Sequence, residues 1–160
     1  KYTIGLNLTC SYKNFDFIAN IYSSIGNDIV NQNKDELYNA LSRTNKISGL
    51  SDLAWHGEGT SNSIPRLSQT DNNQNFSKFS SYYVEDGSFA RLKNIQLGYT
   101  IENTLGFDKI RCSVSGQNLL TITKYSGVEP EVGGDVLGFG FGGWNYPVQK
   151  TVLFGLNLTF

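Results

Sequence analysis

The sequence has little or none of several features that large protein classes require. Among its 160 residues, no apolar stretch approaches the roughly 20 residues of a transmembrane helix. Acidic and basic residues nearly balance, 14 against 13, so the charge indicates neither a nucleic-acid partner nor a polybasic membrane-surface segment. Proline is scarce, methionine is absent, and Gly, Asn, Ser, Thr and Tyr are abundant. This composition favours strands and loops over helices.

The chain is also short of the residues that catalytic and metal sites use. His56 is its only histidine, so neither a His-based metal cluster nor a His-containing catalytic triad can be assembled from this sequence. The segment GFGFGG at 138–143 matches the pattern G-x-G-x-x-G, but a dinucleotide fingerprint must continue into a helix, and here WNYP follows. We therefore predict a flexible loop at this position and no cofactor.

What the sequence does contain is a regular alternation of apolar and polar residues. Five segments have this period of two: residues 2–12, 15–25, 94–101, 110–123 and 151–160. Because side chains alternate between the two faces of a β-strand, each segment predicts a strand with one apolar and one polar face. A tilted membrane strand needs about 9–11 residues, and these segments are long enough.

The connections between the predicted strands alternate in length. A tight turn near Lys13 and Asn14 and a short link at 102–109 alternate with long polar stretches at about 26–87 and 125–147. Outer-membrane barrels sort their connections in this way, because short turns face the periplasm and long loops face outward. The predicted fold class is therefore all-β, an antiparallel transmembrane β-barrel with two long extracellular loops.

Aromatic residues at both ends of the strands agree with two membrane interfaces. The inner set is Tyr12, Phe15, Phe17, Tyr99 and Phe160, and the outer set is Phe89, Tyr125, Trp144 and Tyr146. Five strands cannot close a barrel, since even the smallest membrane barrels need about eight and an open edge in lipid leaves backbone groups unsatisfied. We therefore expect this chain to be part of a larger barrel.

Two positively charged residues do not fit the simple alternation. Arg91 and Lys93 share their parity with Ile95, which is predicted to face lipid. Either both lie in the lipid headgroup zone, or a β-bulge near Ala90 shifts the register. The headgroup zone is the preferred interpretation.

The two cysteines lie on strands that are not neighbours. Cys10 is on the first strand and Cys112 on the fourth, three inter-strand spacings or about 14 Å apart. A disulfide needs Cα atoms within about 7 Å, so we expect free thiols. Both occupy apolar positions, which predicts small, buried hydrophobic side chains.

The long loops hold the candidate site residues. Aromatic side chains there can stack on sugar rings or on a partner, although they can equally pack the loop onto itself. The candidate contact residues are Trp55, His56, Trp144 and Tyr146. Glu129, Glu131 and Asp135 form a weak calcium candidate, for which solvated loop charge is the preferred alternative. The segment DELYNALSR at 35–43 could form a short helix.

Several motifs resemble one family. They are SSYYVEDGSFARLKNIQLGYTI, then KIRCSVSGQNLLTITKYSGVEPEVGG, then NYPVQKTVLFGLNLTF, with GLNLTCSYKNFDFIANIYSSIGNDI and IPRLSQ upstream. In this order they resemble the end of the SusC/RagA-type TonB-linked outer membrane proteins. The resemblance implies a barrel of about 22 strands with a plugged lumen. Residues 1–160 would then be the C-terminal part of the barrel domain, its last five strands, without the plug and the N-terminal strands.

The resemblance also implies function, location and partners. Such proteins import oligosaccharides, or in some members peptides, through the bacterial outer membrane and carry out no covalent chemistry. The implied partners are a SusD-like surface lipoprotein, the TonB complex acting through the absent N-terminal region, the remaining barrel and plug of the same protein, and outer membrane lipids. Two alternatives stay open: a surface-binding or structural barrel without import, and a soluble β-sandwich that binds glycans.

The last predicted strand carries a further expectation. Its apolar residues occupy every second position up to Phe160, namely Phe154, Leu156, Leu158 and Phe160. This pattern resembles the signal by which outer membrane proteins are recognised for barrel insertion. We expect these four residues to serve in assembly before they face lipid.

Overall fold

The computed structural model describes residues 1–104, 106–132 and 140–160, which form two compact units. The first unit comprises residues 1–27, 87–125 and 146–160. The second comprises residues 28–86 and 126–145, of which 133–139 lie outside the described part. Among the described residues, no helix has the length and apolar character needed to cross a membrane.

The first unit is a five-stranded antiparallel sheet. Its strands, in spatial order, are β1 (Tyr2–Tyr12), β2 (Phe15–Ile25), β5 (Phe89–Thr104), β6 (Phe107–Thr123) and β8 (Thr151–Thr159). Within this sheet, the order of the strands in space is the same as their order along the chain. The five predicted strands are all confirmed, and β5 and β6 extend further than the alternation indicated.

The register places most of the apolar residues of the five strands on one face. One row across the sheet consists of Cys10, Phe17, Leu97, Val114 and Phe154. This face is largely uncovered, since Leu6 is 56% and Phe154 is 85% exposed. Exposing apolar surface to water costs about 25 cal/mol per Å², so the face fits an apolar environment. A soluble sandwich would instead cover it with a second sheet.

A β-bulge at Lys93 resolves the position of the two cations. Asn20 pairs with Asn94 while Ile21 pairs with Leu92, so Lys93 is the extra residue. Leu92 returns to the apolar face, and Arg91 moves to the polar face, where it is 1% exposed. The preferred headgroup interpretation was therefore wrong. The bulge alternative is correct, with its position at Lys93 rather than near Ala90.

Both cations pack against protein groups on the polar face. Nε of Arg91 donates to Oγ1 of Thr121 at 2.9 Å, and the guanidinium lies 5.5 Å from the ring centre of Phe89. Nζ of Lys93 lies 5.3 Å from the ring centre of Tyr22. Cation–π contacts of this kind stabilise a positive charge without contact to a lipid phosphate.

The two short connections are confirmed, and the link between β5 and β6 is shorter than predicted. Lys13 takes a positive φ of 53° in the turn between β1 and β2. The predicted link at 102–109 is mainly paired strand, in which Glu102 lies opposite Lys109 with their charged groups 3.7 Å apart. The paired strands extend to Thr104 and Phe107, and Leu105 is outside the described part.

The cysteines occupy the expected strands but are not buried. Cys10 on β1 and Cys112 on β6 are separated by β2 and β5, and both are free thiols. Both are exposed, so the expectation of burial was wrong. The reason is that they lie on the apolar face, which the described part of this chain leaves open.

Aromatic residues cluster at the end of the sheet that carries the short turns. Phe15 and Tyr99 have ring centres 4.6 Å apart, and Phe107 lies 5.0 Å from Phe160. At the opposite end, Phe89 and Tyr125 are only 5% and 6% exposed. These two are buried, so they do not form an outward-facing aromatic girdle.

The polar face is organised by hydrogen bonds between the strands. Asn20 donates to Asn7 at 2.7 Å and accepts from Asn94 at 3.3 Å, which joins three strands in one row. Nearby, Arg111 on β6 makes two hydrogen bonds to the carboxylate of Asp16 on β2, at 3.1 and 2.6 Å. This pair spans the intervening strand β5 at Gly98, which has no side chain to obstruct it.

The second unit is built on a small mixed sheet. Strand β3 (Asp28–Asn31) pairs antiparallel with β4 (Val84–Asp86) and parallel with β7 (Phe141–Gly142). Two short helices, α1 (Asn33–Tyr38) and α2 (Leu50–Leu53), and a 3-10 turn (Ser81–Tyr83) complete it. The core includes Ile29, Leu50, Ala54 and Tyr83.

Two loop expectations need correction in this unit. The helix predicted at 35–43 begins at Asn33 and ends at Tyr38, because Asn39 adopts an extended conformation and its side chain donates to Asp35 at 3.0 Å. The predicted flexible loop at 138–143 contains strand β7, while residues 138 and 139 lie outside the described part.

We predict that a side chain at position 98 will disrupt the sheet. A Cβ at Gly98 would collide with the carboxylate of Asp16 and lie 2.6 Å from Nη2 of Arg111. Gly98→Val should lower the stability of the full-length protein by about 1–3 kcal/mol, measured by thermal unfolding in detergent. The control is Gly5→Val on β1, since a Cβ at Gly5 meets no atom of the described chain within 4 Å. Equal effects of the two substitutions would contradict this account.

Candidate functional site

One candidate site is an open cavity in the second unit. It has a volume of about 620 Å³ and is walled by two aromatic rings, one guanidinium group and several amides and hydroxyls. Its lining residues are Trp55, Ser61, Asn62, Ser63, Ile64, Pro65, Arg66, Asn73, Asn75 and Tyr82. These groups can stack on a flat apolar surface and exchange hydrogen bonds with a polar ligand.

One wall of the cavity is a loop closed on itself by hydrogen bonds. The backbone N–H of Trp55 donates to the carbonyl of Ile64 at 3.0 Å. The N–H of Ile64 donates in turn to the hydroxyl of Ser61 at 3.2 Å. These bonds fix the Trp55 side chain, which is 41% exposed, at the rim of the cavity.

The opposite wall is organised by the carboxylate of Asp71. It accepts hydrogen bonds from the backbone of Asn75 at 2.8 Å and of Ser77 at 3.0 Å, and from the Ser77 hydroxyl at 2.9 Å. Desolvation raises the pKa of Asp71, but these bonds outweigh it, and the pKa lies below its usual value. Asp71 therefore stays ionised and holds Asn73 and Asn75 at the cavity.

The third wall is Tyr82, which Lys34 holds in place. Nζ of Lys34 donates to the Tyr82 carbonyl at 2.8 Å and lies 4.9 Å from the ring centre. Burial raises the pKa of Tyr82 to about 12, with a further contribution from the nearby Tyr38, Tyr83 and Glu85. The phenol is therefore neutral at physiological pH and offers both a donor and an acceptor.

Glu85 is the centre of the polar network behind this wall. Its carboxylate lies 2.8 Å from Nζ of Lys34 and accepts hydrogen bonds from Ser126 at 2.8 Å and from Asn31 at 3.1 Å. Burial raises the pKa of Glu85, but the bonds from Lys34, Ser126 and Asn31 outweigh it and lower the pKa below its usual value. The ion pair with Lys34 thus joins β4 to helix α1, and the hydrogen bonds from Ser126 join β4 to the segment that follows residue 125.

The structure separates the residues that the sequence grouped as candidate contacts. Trp55 lines the cavity, whereas Nδ1 of the neighbouring His56 lies 2.9 Å from the carbonyl of Ala54. Trp144 lines a different cavity of about 160 Å³ in the same unit and donates from Nε1 to Glu36 at 2.7 Å. Tyr146 belongs to the first unit, where it is 80% exposed.

The calcium candidate is only partly described. The backbone N–H of Glu131 donates to the carboxylate of Glu129 at 2.9 Å, and Asp135 lies outside the described residues. Within the described part of the chain, no group of three His, Cys, Asp or Glu side chains is arranged to hold a metal ion.

Several cavity residues were missed from the sequence. Arg66 and the asparagines at 62, 73 and 75 lie in a long polar stretch without periodicity, so nothing local marks them. Tyr82 stands inside the motif SSYYVED, which carries part of the resemblance to the family, and nothing in the motif marks its side chain as part of a cavity. Only the folding of residues 55–82 back onto themselves brings these side chains together.

Comparisons with known proteins agree along nearly the whole chain. TonB-dependent receptor P3 of Formosa agariphila is 33% identical over 172 residues, covering 99% of this chain and 16% of that receptor. TonB-dependent receptor SusC of Bacteroides thetaiotaomicron is 30% identical, covering 98% of this chain and 15% of SusC. The RagAB peptide importer in its open-open state matches with a TM-score of 0.80 and 30% identity over 99% of this chain and 17% of that one. No family model matches the chain.

The relatives define a class of outer membrane proteins, the TonB-dependent receptors. Within that class, the chain belongs to the SusC/RagA-type family, to which it is similar in both sequence and fold. It spans about one sixth of the length of the curated relatives that it matches.

We predict that the second unit loosens at low pH through Glu85. Because its pKa is lower in the folded protein than in the unfolded chain, its stabilisation is complete above the ordinary carboxyl pKa and is lost as the pH falls through the lowered value. The protection factors of the amides in β3 and β4 of the full-length protein, which are corrected for the intrinsic pH dependence of exchange, should therefore fall as the pH is lowered from about 7 to about 3.

Glu85→Gln should lower these protection factors at both pH values, with a cost of about 1–3 kcal/mol, because it leaves the Lys34 ammonium without its carboxylate. Glu58→Gln is the matched control, since Glu58 is exposed on the same unit. If Glu85→Gln retained the exchange pattern and the pH response of the unaltered protein, the proposed role of Glu85 would be wrong.

Proposed function

We propose that residues 1–160 form the C-terminal part of the barrel of a TonB-dependent outer membrane importer, with the plug and the other strands on residues outside this chain. The observation that carries the proposal is the similarity to SusC and RagA along 98–99% of the chain. The import activity itself belongs to the whole protein, of which this chain is about one sixth.

The sheet supports the barrel part of this proposal. Its apolar face is continuous across five strands, and Leu6, Leu156 and Phe154 are all more than half exposed. Strands β1 and β8 are the two edges of the sheet in the described chain, so each offers one edge for pairing with a further strand. In a closed barrel of about 22 strands, those edges would be paired and the apolar face would meet the lipids.

The polar face supports a hydrated passage. The row of Asn7, Asn20 and Asn94 presents amide groups. The Asp16–Arg111 salt bridge adds one negative and one positive charge, which cancel. A face of this kind would remain hydrated in the barrel lumen. A polar solute could move along it, or a plug could contact it.

We further propose that the cavity at Trp55 contacts the imported substrate. Sugar rings and peptide groups both present a flat surface with hydrogen-bonding edges, which suits the walls formed by Trp55, Tyr82 and Arg66. The substrate would be an oligosaccharide or a peptide; the similar RagAB is a peptide importer. Trp144, Tyr146 and His56 stay secondary candidates for contact with substrate or with a SusD-like lipoprotein that closes over the barrel.

The energy for import would come from the TonB complex, acting on the N-terminal region outside this chain. This chain would contribute barrel wall and recognition, with no covalent chemistry and no cofactor. Its location would be the bacterial outer membrane.

Removing the Trp55 ring tests the substrate contact. In the full-length protein purified in detergent, Trp55→Ala should weaken substrate binding by about 1–3 kcal/mol, the range for loss of an aromatic contact at a binding site. Binding is measured by calorimetry with the oligosaccharides or peptides that support growth. Leu41→Ala is the control, because Leu41 is 46% exposed on the same unit and does not line this cavity. Unchanged binding in Trp55→Ala would remove Trp55 from the site.

We also propose that the alternating apolar residues of β8 are recognised during barrel assembly. Phe154, Leu156 and Phe160 are 85%, 63% and 86% exposed on one face, which leaves them accessible to an assembly factor. Phe160→Gln should reduce the amount of folded protein in the outer membrane several-fold without changing the substrate preference of what assembles. The folded amount is read from the heat-modifiable band in gel electrophoresis.

Thr159→Gln supplies the matched control for this assembly test. Thr159 precedes Phe160 directly and lies on the opposite face of the sheet, where it is paired with Lys109. Normal levels of the Phe160→Gln protein at the surface, or an equal loss in Thr159→Gln, would speak against a signal carried by the apolar positions.

A further inference from the structure

A second cavity in the second unit combines acidic and aromatic walls. It has a volume of about 400 Å³, and its lining residues include the acidic Asp35 and Glu36 and the aromatic Phe76, Phe79, Tyr83 and Phe141. The two carboxylates are neighbours on helix α1, while the rings come from other parts of the same unit. This cavity is distinct from the one at Trp55, with which it shares no lining residue.

The carboxylates of this cavity have neutral hydrogen-bond partners. Asp35 accepts from the amide of Asn39 at 3.0 Å, and Glu36 accepts from Nε1 of Trp144 at 2.7 Å. The phenol of Tyr83 lies close to Asp35, since burial and then the Asp35 charge together raise the pKa of Tyr83 to about 12. These contacts orient the two carboxylates and leave their negative charges in place.

The nearby cations are engaged elsewhere. Lys34 pairs with Glu85, and Nζ of Lys46 donates to the main-chain carbonyl of Glu36 at 2.9 Å rather than to its carboxylate. Across residues 1–104, 106–132 and 140–160, no ammonium or guanidinium group forms a salt bridge with Asp35 or Glu36. The cavity therefore holds two negative charges that no side chain in the described chain neutralises.

The aromatic walls favour an organic cation over a metal ion. Calcium takes about 6–8 oxygen ligands, whereas four of the eight lining residues of this cavity are aromatic. Phe79 and Tyr83 are stacked, with ring centres 6.0 Å apart and an interplanar angle of 12°, and Phe79 is 69% exposed. Ring faces attract ammonium groups and also accept the methylene stem that carries them.

We propose that this cavity binds a primary alkylammonium group carried by the imported molecule, with the ammonium between Asp35 and Glu36 and its alkyl stem on Phe79 and Tyr83. Trp144, which was predicted to touch ligand, acts here as a positioning residue that holds the Glu36 carboxylate. Only one part of this proposal rests on the proposed function, namely that the alkylammonium group belongs to an imported molecule. Binding of the alkylammonium group is a property of this unit that can be measured without transport.

The test compares two small probes on the full-length receptor purified in detergent. N-acetyl-lysine methylamide carries the ammonium, and N-acetyl-norleucine methylamide is its neutral analogue with a similar stem. Ligand-observed NMR titration should give binding of the lysine probe at least about tenfold tighter than that of the norleucine probe, a ratio in the range of paired charge and cation–π contacts.

Removing the two charges should abolish this preference. Asp35→Asn combined with Glu36→Gln keeps the size and the hydrogen-bonding shape of both side chains, and it should weaken the lysine probe about tenfold while the norleucine probe is unaffected. Asp52→Asn combined with Glu58→Gln is the matched control, because it removes two exposed charges from the same unit outside this cavity. Phe79→Leu should weaken both probes.

The results that would overturn the site are distinct from those that would overturn import. Equal binding of the two probes, equal behaviour of the two double variants, or displacement of the lysine probe by an equimolar amount of calcium would each reject the alkylammonium site. All variants are first checked for the heat-modifiable folded band, so a misfolded protein is not scored. Failure of the full-length receptor to support any uptake, with the probe preference intact, would reject only the proposed import function.

Discussion

The structure depends on keeping the alternation of side chains in register across five strands. A slip of one residue moves every side chain of a strand to the other face. Strand β5 carries one residue more than β2 at this point, and the bulge at Lys93 absorbs it, so that Leu92 and Ile95 both stay on the apolar face. Because of this bulge, Arg91 is buried among polar and aromatic groups instead of being placed where its charge would face an apolar environment.

The second unit follows a different rule, because it has few apolar residues to bury. Its organisation comes from charged groups that each satisfy several neighbours: Glu85 joins Lys34, Asn31 and Ser126, and Asp71 joins the backbone and side chain of Ser77. Hydrogen bonds to ionised groups are about twice as strong as neutral ones. A long polar segment can therefore hold defined cavities without a large hydrophobic core.

The strands were predictable from the sequence, and the cavities were not. Period-two alternation is a local property, so the segments at 2–12 and 15–25 were located to the residue, and the strand order followed from connection lengths. The bulge at Lys93 was only one of two alternatives, because it is defined by its partners on β2 and β6. Trp55 was found as an exposed loop aromatic, but Arg66 and Asp35 have no local signal, since their neighbours in the cavities are distant in sequence.

This division has a consequence for how recognition can vary. In the sheet, each strand is constrained by the strands beside it, and even a Cβ at Gly98 would collide with a side chain. In the second unit, the residues that wall the cavities are mainly loop residues whose backbone is fixed by hydrogen bonds from other positions, as Asp71 fixes the loop that carries Asn73. A change at Trp55 or Phe79 therefore alters a cavity wall without altering strand pairing. If the cavities bind the ligand as proposed, changes within residues 28–86 would alter recognition while the register of the sheet stays the same.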